Sequence, residues 1–261
     1  MASMEEEKEQ KKKKREWWEI PARCAVLLVI IPIIIPTHWY RIIYLGTIGR
    51  FFPHTVESRV EDIEKDVRKR LSLKEIPEEL RILVLKKEKQ IELWGKDSAG
   101  KWSRLEYYPI LGIPDVSGPK TEKDDRKTPE GIYKIASLDP NSKHYLSIKL
   151  DFPSEEDIAI AKKEGRDPSA MNVDYMLHGV GFSNQNIFVT DKTMEEIFYL
   201  AAKVGLENTR VLITPHDFRK NDMPVIVDGP WVKERYKQLK DEMELLNEKK
   251  ETPENAETGK N

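Results

Sequence analysis

The residues best suited to chemistry lie around His178, at the end of a short apolar strand. Residues 175–177 run into His178-Gly179, and a turn of glycine, serine, asparagine and glutamine leads into a second apolar strand at 187–189. An imidazole beside a flexible turn is a usual setting for a base that activates a nucleophile. The chain has one cysteine, Cys24, in a distant apolar segment. The sequence therefore predicts a base without a thiol beside it.

The five histidines do not form a metal-binding pattern. They are far apart in the chain, and no HxH or HExxH motif and no cysteine pair accompanies them. Those short spacings are what zinc sites in proteins use. Neither a GxGxxG nor a GxxxxGK[ST] phosphate-binding loop occurs. We therefore expect no metal and no cofactor.

Overall charge gives no indication of a nucleic-acid partner. Lysine and arginine total 44 against 46 aspartate and glutamate, a net charge of −2. A nearly neutral chain has no general attraction to phosphate backbones. A single cysteine also excludes an intramolecular disulfide. The length of 261 residues and the charged ends indicate one large domain with polar tails.

The amino-terminal region predicts a membrane anchor. Residues 1–16 are too polar to fold and are expected to form a disordered cytoplasmic tail. Residues 17–53 contain an apolar run with tryptophan and tyrosine at both ends, close to the ~20 residues that a spanning helix needs. Basic residues precede the run, which predicts a cytoplasmic amino terminus. A cleaved signal peptide and a buried core helix are the competing interpretations.

The remaining chain alternates short strands with a few helices. Residues 54–79 have a helical period and predict a linker that holds the domain away from the membrane. Residues 80–97 predict a β-hairpin, and the further strands are expected to form antiparallel sheet. Residues 223–248 predict a carboxy-terminal helix that packs on its own domain. Residues 249–261 predict a polar, disordered tail.

Two further helices have recognisable capping patterns. Ser154 with Asp157 predicts the start of a short helix that Gly165 ends. Thr193 with Glu196 predicts a capping box for a second helix, from Thr193 to Val204. We expect Asp191 to lie at the start of that helix as a cap or near-cap.

Several segments of the chain carry motifs in a fixed order. Thr-Pro-Glu-Gly-Ile-Tyr spans 128–133, and a Pro-Asn-Ser segment at 140–142 is followed by His144. Together, the segments 117–135, 139–161, 177–191 and 210–219 resemble the murein L,D-transpeptidase family, in particular its periplasmic amidase-like branch. The resemblance covers residues 80–222 and implies an α+β fold: a β-rich domain with short helices, here between a transmembrane helix and a carboxy-terminal helix.

In that family, a histidine activates a cysteine that attacks a stem peptide of the cell wall. The resemblance makes His178 the base and Gly179 its neighbouring glycine. It puts Ser183 at the motif serine, Gln185 at the motif glycine and Asn186 at the cysteine. A carboxamide has no ionisable proton to lose, so thiolate chemistry cannot run at that position.

The resemblance leaves three interpretations open. The favoured one is an inactive relative that binds peptidoglycan stem peptides or regulates wall remodelling. The second is an enzyme in which Ser183 is activated by His178. The third is a structural envelope spacer in which the histidine only serves packing. All three imply a single-pass protein of the cell inner membrane with its main domain in the periplasm.

Two more residues are candidates for contact with substrate. His144 is a possible second residue of the peptide groove, on resemblance alone. Lys120 lies in a loop with other basic residues that could meet carboxylates of a stem peptide, although acidic residues alternate with them and a solvated loop is the alternative. The oligomeric state is not predicted.

Overall fold

The computed structural model describes residues 53–114, 116–181, 185–220 and 229–246. Within them, the chain forms four α-helices and two mixed β-sheets, which confirms the predicted α+β class. The helices are α1 (Val56–Arg70), α2 (Glu155–Lys163), α3 (Asp191–Val204) and α4 (Pro230–Leu245), with a 3₁₀ turn at Pro168–Met171. The strands are β1 (Glu79–Leu85), β2 (Gln90–Lys96), β3 (Trp102–Pro109), β4 (Gly131–Tyr133), β5 (Ile135–Ser142), β6 (Tyr145–Leu150), β7 (Met176–His178), β8 (Ile187–Phe188) and β9 (Thr209–Thr214).

The predicted membrane anchor is not part of this description. Residues 1–16 and all but the last residue of 17–53 lie outside the described residues, as does the carboxy-terminal tail. In the described ranges, no helix combines the length and the apolar character that crossing a membrane requires. The anchor and the two tails therefore stay predictions.

The larger sheet has the strand order β3-β2-β1-β9-β4. β1 and β2 form the predicted hairpin, with Leu85 opposite Gln90 next to the turn. β1 and β9, however, run parallel, with Leu80 opposite Thr209. The smaller sheet has the order β5-β6-β7-β8, and its β7 and β8 are also parallel. The expectation of antiparallel sheet is thus wrong for these two pairs. In the first pair, a long crossover returns β9 beside β1 in the same direction.

The larger sheet is covered on both faces. Successive side chains of a strand point to opposite faces. Ile82 and Val84 of β1 accordingly pack in the main core with α1, α3 and the smaller sheet, whereas Leu83 and Leu85 pack in a second core beneath α4. This double burial explains why β1 is apolar at almost every position.

Helix α1 packs on the domain, in contrast to the predicted linker at 54–79. Thr55 caps the helix in a reciprocal capping box with Ser58. Three apolar residues on one face are buried in the main core: Val60, Ile63 and Val67. Arg70 at its end pairs with Glu195 and Glu196 of α3. The helical period that suggested a linker is instead the apolar face of a packed helix.

Helix α3 begins earlier than its sequence pattern predicts. Its N-cap is Thr190, whose side chain accepts a hydrogen bond from the backbone N of Thr193 at 3.1 Å. Glu196 is buried, and its carboxylate binds Arg70 and Tyr108 rather than the helix amino terminus. The predicted capping box is therefore wrong, because tertiary partners take the glutamate.

Helix α4 packs on its own domain, as predicted. Its apolar face covers the second core, and two polar residues tie it to neighbouring elements. Arg235 is buried, and its Nη1 donates to Asp157 Oδ1 at 2.6 Å and to the Glu130 carbonyl oxygen at 3.3 Å. Tyr236 donates to the Glu130 carboxylate, which also pairs with Lys86 at 2.6 Å. The glutamate of the Thr-Pro-Glu-Gly element thus joins α4 to β1.

We expect Asp157→Ala to destabilise the fold by about 3–5 kcal/mol, because it leaves the buried Arg235 charge unpaired and removes a cap of α2. The matched control is Glu156→Ala, whose half-exposed carboxylate lies 3.7 Å from Arg235 and should contribute less than about 1 kcal/mol. Urea unfolding followed by circular dichroism measures both free energies. Equal losses in the two variants would contradict the role given to the buried pair.

Candidate functional site

His178 lies at the end of β7, where strand pairing on both sides fixes its backbone. It stands opposite Ser147 of β6 and Phe188 of β8. Because Leu177 points into the main core, the His178 ring is directed to the other face of the smaller sheet. The ring is nevertheless fully buried. Groups from outside β7 therefore cover it.

The hydrogen bonding of this ring decides which nitrogen carries the proton. Nδ1 of His178 lies 2.7 Å from the carbonyl oxygen of Gly179. A carbonyl oxygen can only accept, so Nδ1 must carry the hydrogen and donate it. In the neutral ring Nε2 then keeps its lone pair, and this atom is buried without a hydrogen-bond partner among the described residues. Nε2 is therefore the ring atom that can accept a hydrogen bond or a proton.

A second imidazole lies face to face with the first. The rings of His144 and His178 have centroids 4.2 Å apart and are inclined by 19°. His144 belongs to the tight turn between β5 and β6, where its backbone N donates to the side-chain oxygen of Ser142 at 3.2 Å. The ring of Phe188 is also nearly parallel to His178, at 5.9 Å. The structure thus brings together His178 and His144, two of the predicted site residues.

Both imidazoles are held in the neutral form near pH 7. Burial lowers the pKa of His178 below its ordinary value of 6.5, and the charge of Lys143 acts in the same direction against the hydrogen bond to Gly179. Burial also lowers the pKa of His144, with further contributions from His178 and Lys143. The site therefore presents a base rather than a cation at neutral pH.

Two glycines allow the following turn to close tightly on His144. A Cβ on Gly179 would lie 2.6 Å from the His144 carbonyl oxygen and 2.6 Å from Asp191 Oδ1. A Cβ on Gly181 would lie 2.1 Å from His144 Nδ1. Asp191, the first residue of α3, also accepts a hydrogen bond from the backbone N of Val180 at 3.1 Å. Asp191 therefore lies at the helix start, as expected, and anchors this turn.

Asn186, which the resemblance puts at the family's cysteine position, lies directly before β8. Its Oδ1 accepts a hydrogen bond from the backbone N of Met176 at 3.0 Å. The side chain thus continues the pairing of β7 and β8 by one further step. The catalytic assignment of Asn186 stays a prediction, and Ser183 lies outside the described residues.

Lys120 is engaged within its own loop. The side chain is buried, and its ammonium donates to Asp125 Oδ1 at 2.8 Å and to the Lys123 carbonyl oxygen at 2.9 Å. Two of its three N–H groups are therefore used internally. These contacts favour a structural role in the loop, and contact between Lys120 and a substrate stays a prediction.

Sequence reasoning did not identify two exposed apolar side chains whose backbone adjoins elements of this site. Leu111 is 49% exposed, and its backbone N donates to the carbonyl oxygen of Phe188 at 3.0 Å. Val180, which directly follows Gly179, is 57% exposed. Single apolar residues in loops give no periodic signal, so only the fold connects these residues with His178.

The described residues contain no group of three or more His, Cys, Asp or Glu side chains that could hold a metal ion. The stacked pair is itself a poor chelator. Imidazole lone pairs lie in the ring plane, so two nearly parallel rings direct them along parallel lines instead of toward one ion. The expectation that the site needs no metal stays a prediction.

Comparison with known proteins gives one sequence relationship and several weaker structural ones. The chain is 26% identical over 168 residues to YafK of Escherichia coli K12, which is named as a candidate L,D-transpeptidase. The match covers 63% of this chain and 62% of that protein, so the chain spans about three fifths of the length of the curated relatives it matches. No protein-family model matches the chain.

Two solved structures are also similar to this chain. Bd1075 of Bdellovibrio bacteriovorus is 21% identical, with 64% of this chain and 56% of that chain covered and a TM-score of 0.39. The helical cell shape determining protein Pgp2 of Campylobacter jejuni is 16% identical, with 59% and 56% covered and a TM-score of 0.41. The resemblance to the L,D-transpeptidase family drawn from the ordered motifs agrees with this similarity to YafK.

Proposed function

We propose that this domain binds peptidoglycan stem peptides at His178 and His144 and does not turn them over. The observation that carries the proposal is the neutral His178 ring, whose Nε2 is buried without a partner among the described residues. The resemblance puts Asn186 at the family's cysteine position. A base is thus retained where the residue that it would activate is absent.

Without a thiol, the retained base has a different use. Nε2 can accept a hydrogen bond from a peptide N–H, which holds an extended peptide in place without forming a covalent bond. The sole cysteine of the chain, Cys24, is in the amino-terminal apolar run and is not a substitute nucleophile in this proposal. Binding without chemistry is what this combination supports best.

The exposed apolar side chains near His178 suit the same ligand. Leu111 and Val180 are each about half exposed. The backbone N of Leu111 donates to the carbonyl oxygen of Phe188, and Val180 follows Gly179, whose carbonyl oxygen bonds the His178 ring. Alanine methyl groups, which stem peptides carry, would remove such apolar surface from water. The proposal therefore assigns peptide contacts to both residues.

The proposal locates the domain in the periplasm, tethered to the inner membrane by residues 17–53 with a cytoplasmic amino terminus. Its support is the apolar run with flanking aromatic residues and the preceding basic residues. The name of YafK, a candidate L,D-transpeptidase, is consistent with work on the cell wall. Two alternatives are tested against this proposal: an active enzyme that uses Ser183, and a structural spacer.

Incubating the full-length chain in mild detergent with tetrapeptide-bearing muropeptides should give saturable binding and no product. Isothermal titration calorimetry measures the binding, and mass spectrometry of an overnight reaction detects cleavage or exchange. Any cleaved or exchanged stem peptide would reject the inactive interpretation. If that turnover disappeared in Ser183→Ala, the serine enzyme would be supported, whereas absence of binding would favour the spacer.

His178→Phe should weaken tetrapeptide binding by about fivefold to tenfold, because it keeps an aromatic ring in the stack and removes an acceptor worth about 1 kcal/mol. His54→Phe is the matched control, since His54 is partly exposed and lies just before α1, outside the proposed peptide site. Calorimetry on both variants measures the change. Equal affinities for His178→Phe and the unsubstituted chain would show that Nε2 does not bind the peptide.

Binding should weaken as the pH falls, through a midpoint below 6.5. Nε2 accepts only in the neutral ring, and burial lowers the pKa of His178 in the folded chain. The unfolded chain then binds more protons just below pH 6.5, so the stability contribution of this ring also falls as the pH falls. NMR titration of the His178 ring protons measures the midpoint, and a value above 6.5 would contradict the analysis.

A further inference from the structure

Loop 119–127, the end of α2 and the first turn of α4 line a cavity that the proposed peptide site does not use. Its volume is about 420 Å³, within the range of pockets that hold small ligands. All of its lining residues are in the described ranges. The principal ones are Pro119, Thr121, Lys127, Glu164, Gly229 and Trp231.

The indole of Trp231 gives this cavity an aromatic wall. The ring is partly exposed, and the guanidinium of Arg235 lies 5.2 Å from its centroid. Gly229, with a φ of 94°, keeps the space beside the ring open. A Cβ on Gly229 would lie 3.1 Å from Trp231 Nε1 and 3.5 Å from Glu164 Oε1. A side chain at 229 would thus narrow the gap between the indole and the carboxylate.

The opposite wall is ordered before any ligand arrives. Asp125 accepts hydrogen bonds from the backbone N of Thr121 at 2.8 Å and of Lys127 at 2.9 Å. The buried ammonium of Lys120 adds a third contact at 2.8 Å. One carboxylate therefore fixes the backbone at two of the loop's lining residues, which lowers the conformational entropy lost when a ligand binds.

The polar groups of the cavity have mixed character. Lys127 brings a positive charge, Thr121 a hydroxyl, and Glu164 a negative charge that Arg166 holds through contacts of 2.9 and 2.7 Å. A simple anion would meet Glu164, and a simple cation would meet Lys127. Hydroxyl groups both donate and accept, so a neutral polyhydroxylated ring satisfies all three residues.

We propose that this cavity binds an N-acetylhexosamine unit of a glycan strand. The C–H face of the sugar ring stacks on the indole of Trp231, whose π-face is electron-rich. The hydroxyl groups meet Thr121, Lys127 and Glu164, and the acetyl methyl group packs against Pro119. The choice of this sugar rests on the proposed function, because the stem peptides that the domain is proposed to bind are attached to such a glycan.

Chitotetraose, which carries no peptide, tests this site separately from the peptide cleft. Calorimetry on the full-length chain should give saturable binding, and NMR should show a shift of the Trp231 indole N–H signal. Trp231→Leu should weaken chitotetraose binding by about tenfold or more and leave tetrapeptide binding unchanged. The matched control is Trp102→Leu, in a tryptophan on β3 that contacts Arg81 and Lys96, and it should bind chitotetraose normally.

Lys127→Met provides a second test that leaves the aromatic wall intact, in case Trp231→Leu fails to fold. It should also weaken chitotetraose binding while tetrapeptide binding persists. No chitotetraose binding by the unsubstituted chain, or unchanged binding in Lys127→Met, would overturn the glycan site. Chitotetraose binding without tetrapeptide binding would support this site and reject the proposed peptide function, so the two failures are distinguishable.

Discussion

The hydrogen bond from His178 Nδ1 to the carbonyl oxygen of Gly179 fixes the chemistry of the whole site. It assigns the proton to one ring nitrogen and leaves the other, Nε2, as a buried acceptor. The bond requires the chain to turn directly after β7. That turn can form only because Gly179 and Gly181 let backbone approach His144 more closely than any side chain would allow. Ring stacking and burial then hold both imidazoles neutral.

The rest of the fold holds these pieces in register. β6 and β8 fix β7 from both sides, and Asn186 extends the β7–β8 pairing with its side chain. The larger sheet packs against the smaller sheet through the main core, and the second core beneath α4 covers its other face. Burying the Glu130 carboxylate between these layers is unfavourable without partners, and Lys86 and Tyr236 provide them.

Local patterns in the sequence predicted local structure well. The β1–β2 hairpin, α2 with its Ser154 cap, and the packing of α4 on its own domain follow from alternation, capping and apolar period, and all three are observed. The motifs also selected His178 and His144, which the fold places in contact. These features depend on residues close together in the chain.

Tertiary contacts account for what could not be predicted. Glu196 has the spacing of a capping residue, but Arg70, more than a hundred residues away, takes its carboxylate. The parallel pairing of β1 with β9 has no local signal, and neither has the contribution of Leu111 near the site. Lys120 looked like a ligand for carboxylates, yet Asp125 of its own loop is the carboxylate that it binds.

The tautomer of His178 tests the central claim most directly. Long-range ¹H–¹⁵N NMR of the full-length chain distinguishes a ring nitrogen that carries hydrogen from one that keeps a lone pair. The account predicts a protonated Nδ1 and a bare Nε2 at pH 7, with the Nε2 signal moving when a tetrapeptide is added. A hydrogen on Nε2, or an Nε2 signal indifferent to the peptide, would contradict it.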